Sequence, residues 1–294
     1  MARVLAAIPH FYRHSPEGGH GSQRRDPTSR VRALGGCIAL LRANLGVGQV
    51  GIDIAARAAR PANQELAHQL DIVICTTGDD HLLERLALPR DNYVHRASRA
   101  APLLLGYECH AALRDGLGRY DYFAFFEDDL LIHDPLFLAK CAWFSAQAGG
   151  DAVLQPNRFE IAAGRDPAKA YIDGDIRARA TAPFQDIADR PEVRLEALGV
   201  TATFRRPLNP HSGCFLLSAE QMAHWARQPY FLDRADSFIG PLESAATLGL
   251  MRAFRVYKPA FANAGFLEIQ HAGQGFIGLI GTTVRRADEA PAPA

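Results

Sequence analysis

Three consecutive carboxylates stand out in the stretch FFEDDLLIHDP. Glu127, Asp128 and Asp129 follow one apolar run and precede another, Leu130 to Ile132. Adjacent like charges repel, and carboxylates between buried segments lose hydration, so a plain core strand disfavours this arrangement. A bound cation is the simplest compensation. The alternative interpretation is an acidic turn at a strand end, with solvated carboxylates.

The type and spacing of these residues suggest a particular cation chemistry. Side chains alternate along an extended segment, which predicts that Glu127 and Asp129 face one site and Asp128 the other side. Carboxylate oxygens with open coordination positions suit Mg²⁺ or Mn²⁺ bridging a substrate diphosphate better than a caged structural ion. The triplet therefore predicts a divalent-cation site.

The elements predicted before the triplet alternate between strands and helices. The run Tyr122 to Phe126 is continuously apolar, as in a central strand covered on both faces. Before it, the predicted elements are a strand at Arg3 to Pro9, a helix from about Arg30 to Leu45 capped by Ser29, a strand in LDIVICTTGDD from Leu70, and a helix near Leu103 to Leu117.

The second half of the chain continues the alternation with one gap. The segment from Asn157 to Pro207 is charged and irregular, and it is interpreted as substrate-facing loops. The predicted elements are a helix begun by Asp134 and Pro135 and ending near Ala148, a strand in DAVLQP, a helix opened by a Ser218 and Gln221 capping box, a helix in GPLESAATLGLM and a strand in AFRVYKPAFA. This pattern favours a mostly parallel sheet that binds ligands at the carboxyl ends of its strands.

Composition narrows the function classes. The chain has 294 residues, 48% of them hydrophobic, with 32 Lys and Arg against 32 Asp and Glu, so no net basic field favours nucleic acid. The five cysteines are scattered without a CxxC pair, which predicts reduced thiols and a cytoplasmic location. No GxGxxG follows the first strand, which disfavours classical dinucleotide binding.

The stretch FFEDDLLIHDP resembles the DxD motif of nucleotide-sugar-dependent glycosyltransferases of the GT-A fold, in its EDD form. The resemblance covers most of residues 3 to 275 in element order. It implies a GT-A type α/β fold with a mostly parallel, Rossmann-like sheet flanked by helices and a smaller acceptor-side subregion. Asp129 would ligate the metal, Asp128 would support it, and Glu127 would take the first position, around the ribose or the metal.

The same resemblance implies one catalytic domain over residues 1–285. The nucleotide-binding half would span about 1–135 and the acceptor or catalytic half about 136–285, with a disordered tail at 286–294. The Ala- and Pro-rich composition of the tail independently predicts that it does not fold alone.

Three later stretches extend the resemblance. NPHSGCFLLSAEQM is similar to the small-residue strand beside the donor sugar, which implies substrate contacts for His211, Ser212 and Gly213; a plain turn and strand is the alternative. In FIGPLESAATLGL, Glu243 would accept the acceptor hydroxyl's proton, or else be a first-turn carboxylate favoured by the helix dipole. His271, in FLEIQHAGQGF, would be a further metal ligand, its alternative being a structural role.

The donor site implied by the resemblance lies at the ends of the first strands. An aromatic ring offers a stacking surface for a base, and a carboxylate accepts hydrogen bonds from base or ribose. The residues assigned to nucleotide binding are Asp128, Pro9, His10, Phe11, Tyr12, Thr77, Asp79 and Arg30, with Arg30 on the diphosphate.

The resulting hypothesis is a divalent-metal-dependent glycosyltransferase of polysaccharide or glycoconjugate synthesis. It would use Mn²⁺ or Mg²⁺, a nucleoside diphosphate sugar and a glycan or lipid-linked acceptor, with either stereochemical course. A nucleotidyltransferase acting on a sugar phosphate is an alternative, because RHSPEGGHGSQRR is a loose Gly-rich basic loop. A non-catalytic metal- or nucleotide-binding protein is another. GFIGLIGTTVRR offers a weak peripheral contact with the inner membrane face, its alternative being a packing segment.

Overall fold

Strands and helices alternate along the computed structural model, which describes residues 1–17 and 21–286. The strands are β1 (Arg3–Pro9), β2 (Val50–Asp53), β3 (Ala58–Pro61), β4 (Gln69–Thr77), β5 (Val94–Ser98), β6 (Tyr122–Phe126), β7 (Leu130–Leu131), β8 (Ala152–Leu154), β9 (Asn157–Ile161), β10 (Lys169–Tyr171), β11 (Glu192–Ala197), β12 (Val200–Arg205), β13 (Cys214–Ser218), β14 (Arg255–Pro259) and β15 (Glu268–His271). The helices are α1 (Thr28–Leu45), α2 (Leu105–Asp115), α3 (Phe137–Ala148), α4 (Ala219–Ala226), α5 (Pro241–Glu243) and α6 (Gly249–Ala253), with a π-helical turn at Ser244–Leu248 joining the last two.

The central sheet has the strand order β13-β6-β1-β4-β5. Strand β1 pairs in parallel with β6 and β4, β4 pairs in parallel with β5, and β13 runs antiparallel to β6. The predicted mostly parallel α/β sheet flanked by helices is confirmed. Because β1, β4 and β6 run the same way, the residues that follow them meet at one edge of the sheet.

Both faces of this sheet are buried, as the continuous apolar runs predict. Val4, Ala6 and Ile8 contribute to a core shared with α1 and α3, and Leu5 and Ala7 to a core shared with α2 and α4. Side chains of one strand thus alternate between two cores. Fully burying a side chain of Leu, Ile or Phe size stabilises the fold by ~1.5–3 kcal/mol, so the sheet is a rigid support for the loops at its edge.

Most strands of the second half of the chain form two smaller mixed sheets. Their orders are β10-β9-β15-β7 and β11-β12-β14-β8. The prediction of an irregular segment from Asn157 to Pro207 was therefore wrong, because β9, β10, β11 and β12 all lie within it. These strands are short, and the alternation of charged and apolar residues in β9 and β11 is a strand signal that the interpretation as loops overlooked.

Helix boundaries differ from the sequence prediction where local capping differs. Helix α1 begins at Thr28, and the Asp26 carboxylate accepts hydrogen bonds from the Thr28 backbone N–H and hydroxyl, so Ser29 is not the cap. The predicted helix near Leu103 is a 3₁₀ turn at Pro102–Leu104 followed by α2. The Ser218 and Gln221 capping box is confirmed.

The five cysteines are free and buried, as predicted for reduced thiols. In the part of the chain that the structure describes, no helix is long and apolar enough to cross a bilayer. Residues 287–294 of the predicted tail, and residues 18–20 of the Gly-rich loop, lie outside the described residues.

Candidate active site

The three carboxylates form a turn at the carboxyl end of β6. The Glu127 backbone N–H donates to the Gly213 carbonyl over 2.8 Å, and the Leu130 N–H donates to the Glu127 carbonyl over 3.2 Å, which closes the turn. The segment is therefore not extended, and the predicted strict alternation was wrong. Asp128 and Asp129 both contact Arg30, whereas Glu127 contacts Arg158.

Asp128 is a buried anion between two partners. His10 Nε2 accepts the Leu82 backbone N–H over 3.1 Å, so His10 Nδ1 carries the proton and donates it to Asp128 Oδ2 over 2.5 Å. The Arg30 guanidinium contacts the other carboxylate oxygen. Burial opposes ionisation, but Arg30 and His10 outweigh it and hold the pKa of Asp128 at about 2.

Asp129 and His271 present two acceptor atoms to each other. His271 Nε2 lies 3.7 Å from Asp129 Oδ2, and Asp129 Oδ1 is buried without a hydrogen-bond partner. Arg30 Nη1 donates to Asp129 Oδ2 over 3.0 Å. On its other side, His271 Nδ1 lies 2.9 Å from the buried Glu160 carboxylate. A free carboxylate oxygen beside an imidazole nitrogen is a donor set that Mn²⁺ or Mg²⁺ accepts.

The predicted three-ligand metal set of Glu127, Asp129 and His271 is not assembled. Within residues 1–17 and 21–286, no three His, Cys, Asp or Glu side chains are grouped so as to hold a metal ion. Glu127 instead lies 3.6 Å from Arg158 and 3.9 Å from His211 Nε2. The donors that remain, Asp129 and His271, fit a cation that takes its other ligands from a diphosphate and water.

Glu127 lies in an environment opposite to that of Asp128. Burial raises its pKa to about 8; Arg158 acts against the shift, and the charges of Asp129 and Glu243 add to it. Its carboxylate rests on Gly213, whose backbone has a φ of +62° and where an added Cβ would lie 2.4 Å from Glu127 Oε2. Glycine is required at position 213 for both reasons.

Arg158 is held by a buried ion cluster that the sequence analysis missed. Asp173 lies 2.8 Å from Arg158 Nη2 and 2.9 Å from Lys258 Nζ, and Lys258 also donates to the His211 carbonyl. Burial would raise the pKa of Asp173, but Lys258 and Arg158 outweigh it and lower the pKa to about 2. The detectable signal is NRFEI, where charged residues alternate with apolar ones in a segment with strand propensity.

The residues predicted to contact the donor sugar and the acceptor lie around Glu127. His211 is buried, its Nδ1 lies 3.1 Å from Thr247 Oγ1, and burial together with Arg158 lowers its pKa well below the usual range. The Ser212 hydroxyl is fully buried and donates to the Pro156 carbonyl over 2.7 Å, so it holds backbone. Glu243 is in the first turn of α5, close enough to Glu127 to affect its pKa.

The residues predicted to bind nucleotide follow the neighbouring parallel strands β1 and β4. Tyr12 is half-buried, its N–H donates to the Asp80 carbonyl over 3.0 Å, and its hydroxyl donates to the Arg24 carbonyl over 2.5 Å. The Thr77 hydroxyl donates to the Ala100 carbonyl over 2.9 Å. Pro9 and Phe11 are half-buried, and Asp79 is exposed. Contacts of these residues with a nucleotide stay predictions.

His10 and Arg30 are placed differently from the other predicted donor residues. His10 is 1% exposed and both of its ring nitrogens are occupied, so its ring supports Asp128 and offers no stacking surface. Arg30 is engaged with Asp128 and Asp129, so it neutralises these carboxylates in this structure. A contact between Arg30 and a diphosphate would require it to leave them.

Comparisons with known proteins yield distant matches of structure. No protein-family model and no curated protein matches the chain. TarS of S. aureus superposes with a TM-score of 0.41 at 7% identity, over 87% of this chain and 35% of that one. Glucosyl-3-phosphoglycerate synthase from Mycobacterium tuberculosis, solved with phosphoglyceric acid, superposes with a TM-score of 0.40 at 14% identity, over 95% of this chain and 75% of that one. Such scores carry no functional argument.

Proposed function

We propose that the chain is a glycosyltransferase that moves a sugar from a nucleoside diphosphate sugar to an acceptor hydroxyl. The observation that carries the proposal is the acidic turn after β6. It lies at the edge where the parallel strands end, and there Asp129 keeps a buried oxygen without a partner beside His271. This edge is where ligands bind in parallel α/β sheets.

Asp129 and His271 are the residues that would hold Mn²⁺ or Mg²⁺. When bound, such a cation neutralises the charge that develops on a departing diphosphate. The buried Asp128 carboxylate holds the Arg30 guanidinium beside Asp129. These two residues would thereby keep a positive charge next to the proposed cation site. Tyr12, Thr77 and Asp79 would border the nucleotide at the ends of β1 and β4. These strands pair in parallel, so the residues that follow them lie side by side.

Glu243 is the proposed base on the acceptor side. A sugar hydroxyl is a weak nucleophile until its proton is removed in the transition state, and a carboxylate within hydrogen-bond reach can remove it. Glu243 is close enough to Glu127 for its charge to raise the pKa of Glu127, whereas Arg30 contacts Asp128 and Asp129. The Glu127 and Arg158 pair would border the sugar in this arrangement.

The test is turnover of a panel of nucleotide sugars by the purified chain, with Mn²⁺ or with EDTA and with and without simple glycan acceptors. We expect release of nucleoside diphosphate from one donor, dependent on metal, and a loss of ~10²–10⁴-fold for Glu243→Gln. Glu220→Gln is the matched control, because Glu220 is also a first-turn carboxylate, in α4. Release of pyrophosphate from a nucleoside triphosphate and a sugar phosphate would instead identify a nucleotidyltransferase, and binding without turnover a non-catalytic protein.

A further inference from the structure

Glu160 is a buried carboxylate that the proposed reaction does not yet use. It lies on β9 with an exposed fraction of 0%. Its Oε1 lies 2.9 Å from His271 Nδ1, and its Oε2 accepts the backbone N–H groups of Phe276 over 2.9 Å and Ile277 over 2.8 Å. Three donors therefore satisfy a carboxylate that would be costly to bury without them.

The bond to Glu160 determines which nitrogen of His271 faces Asp129. Glu160 Oε2 already accepts two backbone N–H groups, and a carboxylate surrounded by donors acts as the acceptor, so we assign the ring proton to Nδ1 and the lone pair to Nε2. That lone pair lies 3.7 Å from Asp129 Oδ2. Asp129 Oδ2 already accepts from Arg30 Nη1, but the neighbouring Oδ1 has no partner, and a cation bound here would satisfy both Oδ1 and His271 Nε2.

Glu160 also fixes the segment that carries the imidazole. The Ala272 N–H donates to the Asp129 carbonyl over 2.8 Å, which ties the end of β15 to the acidic turn. Phe276 and Ile277, further along the chain, are held by Glu160 Oε2, and the Phe276 ring lies edge-on to the His271 ring at 5.8 Å. One carboxylate thus contacts both the His271 ring and the backbone of Phe276 and Ile277 in the segment that follows it.

We propose that Glu160 is a positioning residue that fixes the tautomer and orientation of His271 for a divalent cation shared with Asp129. The inference rests on the proposed function, because it assigns a role at that cation site. A carboxylate behind a metal-binding histidine keeps the ring in its ligating tautomer and raises its basicity. Glu160 would touch neither the cation nor the substrate.

The test measures binding of Mn²⁺ with inorganic pyrophosphate, which stands in for a diphosphate without choosing a base. Electron paramagnetic resonance titration gives the affinity, and pulsed measurement detects coupling of an imidazole nitrogen to Mn²⁺. For Glu160→Gln we expect affinity ~10–100-fold weaker, and loss of the nitrogen coupling, as in His271→Ala. Glu268→Gln is the matched control, because Glu268 lies on the same strand as His271 and bonds Lys169 and Tyr171. It should bind as the wild type does.

The outcomes separate this inference from the proposed function. If the wild type shows nitrogen coupling and Glu160→Gln keeps both the coupling and the affinity, the positioning role is refuted and the cation site stands. If the wild type binds no Mn²⁺ under these conditions, the cation requirement of the proposed function fails, and the inference fails with it. Should circular dichroism show Glu160→Gln unfolded, Glu160→Asp replaces it, since its shorter side chain withdraws the carboxylate, and unchanged affinity there refutes the role.

Discussion

The two sides of the acidic turn carry adjacent carboxylates with opposite behaviour, the buried Asp128 and the half-buried Glu127. The pKa of Asp128 lies at about 2 and that of Glu127 at about 8. Asp128 is hydrogen-bonded to Arg30 and His10, whereas Arg158 stays 3.6 Å from Glu127 and is committed to Asp173. The distance and the commitments of the nearest cation decide the charge of each group, and closeness in sequence does not.

This contrast divides the acidic turn into two chemical environments. The Asp128 and Asp129 side holds carboxylate oxygens near a guanidinium and an imidazole, which suits a divalent cation and a diphosphate. The Glu127 side favours a neutral carboxyl at neutral pH and borders His211, Gly213 and Glu243. The first side fits the leaving group of the proposed reaction, and the second fits the sugar and its acceptor.

The largest expected effect comes from removing the cation that opposes Glu127. Arg158→Met leaves the buried Asp173 with one of its two partners and Glu127 without its nearest positive charge. Breaking a buried ion pair on one side typically costs ~3–5 kcal/mol, and we expect a loss of this size in the free energy of unfolding, measured in urea. Arg194→Met is the matched control; this exposed arginine pairs with Glu192 on a strand surface and should change stability by less than about 0.5 kcal/mol. Equal effects of the two substitutions would contradict the buried-cluster account.

The second prediction compares the stability effects of substituting Asp128 and Glu127. The pKa of Asp128 is lowered from 3.8, so its ionisation stabilises the fold above that pH and the stabilisation is lost as pH falls toward 2. Asp128→Asn should therefore cost about 2 to 3 kcal/mol at pH 7. The pKa of Glu127 is raised from 4.5 to about 8, so the fold loses stability as pH rises through that interval. Glu127→Gln removes this loss and should stabilise the fold at pH 8 by about 1 to 3 kcal/mol.

Unfolding in denaturant at pH 4.5 and pH 8, in the presence of EDTA, measures both variants against the wild type. The stability advantage of Glu127→Gln should appear at pH 8 and shrink at pH 4.5, where the wild-type Glu127 is protonated in the folded state and about half protonated in the unfolded state, because this pH equals its unperturbed pKa. If the two substitutions change stability in the same direction at pH 8, the asymmetry between the two sides of the turn does not exist.

The smallest expected effect concerns the glycine under Glu127. Gly213→Ala introduces a Cβ 2.4 Å from Glu127 Oε2 at a φ of +62°. Strain of this kind costs ~1–3 kcal/mol. Gly118→Ala is the control, because Gly118 has a φ of +80° with nothing within 4 Å of the added atom, so it reports the backbone cost alone. The difference between the two unfolding free energies measures the contact with Glu127, and no difference would mean that the carboxylate moves aside freely.

The sequence predicts the central sheet and the place of the carboxylate triplet at a strand end because their signals are local. Continuous apolar runs such as Tyr122 to Phe126 mark strands covered on both faces, and Ser218 with Gln221 marks a helix start. The partners of the carboxylates come from far along the chain, and nothing local indicates them. Arg158 and Glu160 lie in a short strand in which charged and apolar residues alternate, a pattern that predicts exposed charged side chains. In the structure β9 pairs with β15, and both residues are buried.

The residues predicted to bind nucleotide show the same limit. His10 follows β1 as the sequence indicates, but its ring turns inward, because Asp128, 118 positions later, and the Leu82 N–H occupy both nitrogens. Arg30 likewise meets carboxylates 98 and 99 positions away. Whether a polar side chain near a strand end faces a ligand or a buried partner depends on such long-range contacts.

Calorimetric titration of UDP, GDP, CDP and ADP, with Mn²⁺ and with EDTA, tests the central claim most directly when the wild type is compared with Asp129→Ala. The control variant is Asp186→Ala, since Asp186 is exposed on another loop. We predict that one diphosphate binds the wild type and the control only with Mn²⁺, and that Asp129→Ala weakens this binding at least about 100-fold. Binding that ignores both the metal and Asp129, or no binding at all, would show that the acidic turn is not a cation and diphosphate site.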